Sequence, residues 1–104
     1  MNKKYTIDTP LNPKAWEYYE VFDDIITMKD LEDSFSAMPF EHEFEGIVYL
    51  INIFDGKMIE VIVDLKGKQE SYSFEEFEDF LNAHIIKTDK TKVVGDLIID
   101  YNNR

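Results

Sequence analysis

Ten carboxylates fall between residues 17 and 45 (Glu17, Glu20, Asp23, Asp24, Asp30, Glu32, Asp33, Glu41, Glu43 and Glu45) against one lysine, Lys29. Paired acids with separated pKa values can share general acid and base roles, and an imidazole beside carboxylates, as in Glu41-His42-Glu43, supplies metal ligands. The spacing defeats both chemistries. An exposed acidic face offers no burial to drive two carboxyl pKa values apart. On a strand His42 points away from its neighbouring glutamates, and His84 stands at no ligand spacing from it. Both histidines are expected as interior or rim residues satisfied by hydrogen bonds. The Asp-rich stretches lack the alternate oxygens, central Gly and closing Glu of a calcium loop. Gly46, Gly56, Gly67 and Gly95 are too scattered for a phosphate-cradling or dinucleotide turn. With no cysteine there is no thiolate nucleophile, disulfide or cysteine-bound metal. The expectation is a protein with no catalytic residues, no metal and no cofactor, and not an enzyme.

The same acids can bind. The whole chain carries a formal charge of -11, yet outside residues 17 to 45 the other 75 residues balance twelve acids with ten lysines and arginines. Acid concentrated in this way attracts basic partners, hastens encounter with them, and repels nucleic acid and anionic membranes. On a strand Glu41, Glu43 and Glu45 would stand about 6.8 Å apart, from a rise of about 3.4 Å per residue. Phosphates repeat at comparable distances, so this row can imitate a nucleic-acid strand before a protein that grips one. The expected partner-binding residues are Glu17, Glu20, Asp24, Glu41, Glu43 and Glu45, with Tyr18 as an aromatic anchor; Trp16, Tyr19 and Phe22 are expected in the core.

These residues need elements to hold them. Asn12-Pro13 is a helix start, and a first amphipathic helix is expected from 13 to 25 with Glu17, Glu20 and Asp24 on its wet side. Thr27 caps a second, shorter helix with Asp30 in its first turn and Leu31, Phe35 and Met38 inward, ended by Pro39. From Phe40 the period becomes two, a half-buried strand to Glu45. Ile47 to Phe54 and Lys57 to Leu65 read as a hairpin about Asp55-Gly56. A two-residue turn there sets Leu50 against Val61, Val48 against Val63, Ile51 against Glu60 and Ile47 against Asp64. The other face, with Tyr49, Ile51, Ile53, Met58 and Ile62, is then too apolar to stay uncovered. Lys66-Gly67 or Gly67-Lys68 turns into a short strand at 69 to 72. Ser73-Phe74-Glu75-Glu76 fits a capping box for a helix from 74 to 84, with Phe74, Phe77, Phe80 or Leu81, and His84 inward. After a polar loop, residues 93 to 99 read as a last strand weakened or bulged at Gly95.

The expected fold class is α+β: two N-terminal helices, a mostly antiparallel sheet of 4-5 strands built on the central hairpin, and one further helix on the sheet. A chain of 104 residues with 44% hydrophobic and 14% aromatic residues makes one domain with a core of its own. Residues 1 to 10 hold no secretory apolar run, and the longest nearly apolar run, 47 to 54, is far below the ~20 residues that span a bilayer; a cytoplasmic location is expected. Size, acidity and lack of a catalytic motif resemble those of phage-encoded inhibitors of host defence, such as anti-restriction and anti-CRISPR proteins, and of toxin immunity proteins. The resemblance is of type and not of motif. It implies an inhibitor whose partner is a basic protein, a nucleic-acid-processing enzyme or a toxin. The alternative is a non-enzymatic self-associating module, a homodimer sealed through the 47-65 hairpin, whose acidity serves solubility.

Overall fold

The computed structural model describes residues 3–19, 24–54 and 58–103. A 3-10 segment, Pro13–Tyr19, precedes helix α1 (Met28–Ala37) and strands β1 (Phe40–Phe44), β2 (Ile47–Phe54), β3 (Met58–Leu65) and β4 (Lys68–Phe74); helices α2 (Phe77–Leu81) and α3 (Val94–Asn102) close the chain. The strands form one antiparallel sheet in the order β1-β2-β3-β4. All three α-helices lie on one face, α1 over β2, α3 beside β1 and α2 beside β4. The architecture is α+β, with a sheet of four strands.

Two of the turns follow from backbone sterics. Glu45-Gly46 (φ 53° and 84°) joins β1 to β2, and Lys66-Gly67 (φ 54° and 92°) joins β3 to β4. Two successive left-handed residues make the turn whose twist matches a hairpin, and glycine takes the second position without strain. The central hairpin differs from the sequence expectation. Phe54 pairs with Met58, so three residues separate the strands, where a two-residue turn at Asp55-Gly56 was expected; residues 55–57 lie outside the described set. Leu50 therefore faces Ile62, Val48 faces Asp64 and Ile51 faces Val61. Because side chains alternate, a slip of one residue exchanges the faces of β3 relative to β2. The observed register joins Tyr49, Ile51 and Ile53 to Ile59, Val61 and Val63 on one buried face. The two-residue register would have set Glu60 against Ile51.

The helices also depart from expectation. Asn12 does cap the first one, its Oδ1 accepting from the Lys14 amide at 3.2 Å, but Pro13–Tyr19 is 3-10, residues 24 and 25 are not helical, and the rest of the helix expected at 13 to 25, residues 20–23, lies outside the described set. Helix α1 matches its reading: Asp30 accepts from the Thr27 amide at 3.0 Å, Leu31 and Phe35 are buried, and Met38 caps the end before Pro39. The helix expected at 74–84 is only α2, because Ser73 and Phe74 are committed to β4, paired with Glu60 and Ile59, and Ser73 forms no capping box. His84, expected inward, is exposed and donates from Nδ1 to the Lys90 carbonyl at 2.9 Å.

The largest correction is at residues 93–99, expected as a strand: Val93 is the extended cap residue and 94–99 belong to helix α3. Val94, Leu97, Ile98 and Asn102 recur at helical spacing on the buried side of α3, and the Asp96 carboxylate reaches back to accept from the Val93 amide at 2.8 Å. A run of apolar residues that short fits either period, and the carboxylate at the third helical position favours the helix.

The N-terminal residues tie the helical layer together. Tyr5 exchanges backbone hydrogen bonds with the Asn82 amide group at 3.0 and 2.8 Å, and its hydroxyl donates to Asp96 at 2.6 Å. The buried Asn102 Oδ1 accepts from both the Asn12 amide (2.8 Å) and the Trp16 indole (2.9 Å). Trp16 is fully buried, with its ring 4.6 Å from Tyr101 and 5.5 Å from Phe40.

Candidate functional site

The helices cover only the face of the sheet that carries Phe40, Tyr49, Ile51, Val61 and their neighbours. Every fully buried sheet residue among those described comes from that face. Among the described residues no helix lies on the opposite face. Its residues follow from the register. Glu43, Val48, Asp64 and Gln69 form one row across the strands; Glu41, Leu50, Ile62 and Ser71 form the next; Asn52, Glu60 and Ser73 form the third; Phe54 and Met58 close the hairpin end. Phe54 is 50% exposed and Met58 41%.

This face sets apolar side chains among acids. Val48, Leu50 and Phe54 lie along β2, with Asn52 between Leu50 and Phe54; Ile62 and Met58 lie along β3, where they alternate with Glu60 and Asp64, and Glu41 and Glu43 stand on β1 on the other side of β2. Neither Lys nor Arg is among the described outward residues of the four strands. Asp64 also accepts from the Gly67 amide at 2.8 Å, which fixes it beside the β3–β4 turn. An open antiparallel sheet face is ordinarily polar. Leucine, isoleucine, phenylalanine and methionine gathered between carboxylates suit contact with another protein.

The described acids of residues 17–45 do not share a surface, and Glu20 and Asp23 lie outside the described set. Glu41 and Glu43 lie on the open sheet face, exposed and one strand repeat apart. Glu45 does not continue their row: it sits in the β1–β2 turn, where its carboxylate accepts from Thr88 and pairs with Lys92 at 3.4 Å. Glu17 is exposed on the 3-10 segment, which packs with α3 in the helical layer, and Asp24 is exposed ahead of α1. Glu20 and the Tyr18 side chain lie outside the described residues. Asp30 is engaged at the start of α1, where it accepts from the amides of Ile26 and Thr27. Glu32 faces a cleft of about 520 Å³ with Glu76, Glu78 and Asp79. Burial and then the nearby Asp33 push its carboxyl up, against the pull of Lys29. Glu78 there is held low by the Ile7 amide and by Lys3.

His42 is buried on the helix-covered face. Its Nε2 lies 2.9 Å from Asp100 Oδ2 and its ring stands edge-on to Tyr101 at 5.5 Å, so it joins β1 to α3. Among the described residues no three His, Asp or Glu side chains are grouped to hold a metal ion, and no helix is long and apolar enough to cross a membrane.

Glu60, Asp64 and the apolar stripe were not singled out from the sequence. Their outward placement depends on the three-residue connection between β2 and β3. The signal that could have found them is the triplet Ile59, Val61, Val63, which matches Tyr49, Ile51, Ile53 in only one of the two registers. Comparison with protein-family models, curated proteins and solved structures finds no significant match to this chain. The reading of its function rests on these residues.

Proposed function

We propose that this chain is a non-enzymatic protein-binding module that docks through its open sheet face on a basic surface of a partner protein, the nucleic-acid-binding cleft of an enzyme or toxin being the surface that suits it. The observation that supports this is the helix-free face on which half-buried Val48, Leu50 and Ile62 and exposed Phe54 and Met58 stand beside Glu41 and Glu43 of β1 and alternate with Glu60 and Asp64 of β3. Apolar area supplies affinity at the centre of such a contact, and the flanking carboxylates supply selection for lysine and arginine and speed of encounter. Occupying the cleft would exclude the partner's nucleic acid, which is how an acidic protein of this kind inhibits. Only Glu41 and Glu43 form the phosphate-like row, and the apolar centre makes this a protein contact with acidic flanks instead of a continuous phosphate imitation.

Self-association through the same face is opposed by charge. A two-fold contact presents each surface to its own copy. Four carboxylates would then meet four, with no described cation on the face to pair with them. The experiment is capture from lysate at low and high salt with three baits: the natural chain, a Glu41→Gln, Glu43→Gln, Leu50→Ser variant, and a Glu17→Gln, Asp24→Gln variant. The expected result is a basic partner whose capture falls at least tenfold with the first variant, persists with the second, and is displaced by the partner's own nucleic acid. Equal capture by all three baits overturns the assignment.

A further inference from the structure

Resting on that docking reading, the geometry points to the element of the partner that occupies the face: a basic amphipathic α-helix lying along β2. Val48 to Phe54 spans about 20 Å at about 3.4 Å per residue, which an α-helix of about 13 residues covers at 1.5 Å per residue. The flanking acids stand on β1 and β3, two strand spacings or about 9.5 Å apart; that separation matches a helix about 10 Å in diameter seated over β2. Such a helix would rest a stripe of apolar residues, recurring at three and four, on Val48, Leu50 and Ile62 at one end and Phe54 at the other, passing over the polar Asn52 between them. Lysines and arginines beside that stripe would lay their aliphatic stems on the sheet and reach Glu41 and Glu43 on one flank and Glu60 and Asp64 on the other. A strand added by the partner would instead seek a sheet edge, because main-chain pairing leaves the face untouched. Helices already cover the other face of this sheet in the same manner, with α1 over β2.

The test uses two synthetic helices locked by a hydrocarbon staple, each about 14 residues long, the length the stripe requires, and made of leucine, arginine and alanine. In one the leucines form a single stripe flanked by arginine; in the other the same residues are scrambled around the helix. Each is titrated into the isotopically labelled chain and read by amide NMR. The expected result is at least tenfold tighter binding of the striped helix, shifts centred on residues 41, 43, 48, 50 and 62, and loss of the preference in Leu50→Asp. Equal, salt-sensitive binding of both helices at this face overturns the helix assignment while the docking reading stands. Failure of both to bind, or shifts confined to the helical layer, overturns the docking reading as well.

Discussion

Gly95 stands in the first turn of α3 against the ring of Tyr5, and replacing it with alanine should destabilise the protein through that one neighbour. A Cβ built on Gly95 lies 2.6 Å from Tyr5 Cε2 and 2.7 Å from Cγ, with Cδ2 nearer still. Carbon atoms in good contact stand about 3.5 to 4 Å apart, so the whole ring must leave. Its departure breaks the 2.6 Å bond from the Tyr5 hydroxyl to Asp96. A hydrogen bond to a charged group is worth about 1.5–3 kcal/mol, and alanine recovers about 1 kcal/mol of helix propensity over glycine. The net loss is about 0.5–2 kcal/mol, or roughly 2 to 15 °C in Tm for a domain of this size. Urea denaturation followed by the fluorescence of Trp16, which is fully buried, measures it. The decisive comparison is the same substitution in a Tyr5→Ala background, where the clash is gone and Gly95→Ala should become stabilising by about 1 kcal/mol. An equal loss in both backgrounds, or no loss in the natural chain, refutes the argument.

Other outcomes follow from the same contacts. Asn102→Leu strands two donors, the Asn12 amide and the Trp16 indole, and should cost about 2–4 kcal/mol in urea denaturation, with a red shift of Trp16 emission. Leu50→Asp, on the open face, should change stability by less than about 1 kcal/mol, while Ile51→Asp, one residue on and fully buried, should abolish folding by circular dichroism; the opposite order would reverse the assigned faces. Burial alone would raise the Asp96 carboxyl, but Lys4, the Tyr5 hydroxyl and the Val93 amide outweigh it and hold it below the ordinary 3.8. A depressed folded pKa stabilises above the unfolded value and is lost as pH falls through the folded one. Asp96→Asn should therefore flatten the acid limb of the urea midpoint below about pH 4, and an unchanged acid limb would contradict the assignment. Lys66, at φ 54°, should gain roughly 0.5–1 kcal/mol on replacement by asparagine, which tolerates that conformation better, measured by thermal denaturation.

Local signals were legible wherever the chain decides its conformation within a few residues. Thr27 with Asp30, the alternation of Phe40, His42 and Phe44, and the glycine turn at residue 67 each contain their own cap, period or left-handed residue. The α+β class follows from them. The signals fail where two conformations satisfy the same residues. Ser73-Phe74-Glu75-Glu76 reads as a capping box until β3 claims Ser73 and Phe74 for its ladder. Residues 93–99 are short and apolar enough to read as a strand until Tyr5 packs on Gly95 and the buried side of α3 is filled at helical spacing.

The acidity of residues 17–45 is a property of composition, and the sequence alone determined it. Which of those acids share a surface was decided by the tertiary structure. Asp30 is drawn into a cap and Glu45 into a turn, and Glu17 lies in the helical layer, while Glu60 and Asp64 come from β3 to join Glu41 and Glu43. The physical reason is the period of two along a strand. One residue of register exchanges the two faces of β3, and that register is set by burying Ile59, Val61 and Val63 against the helices, a long-range packing preference that no local run of residues expresses.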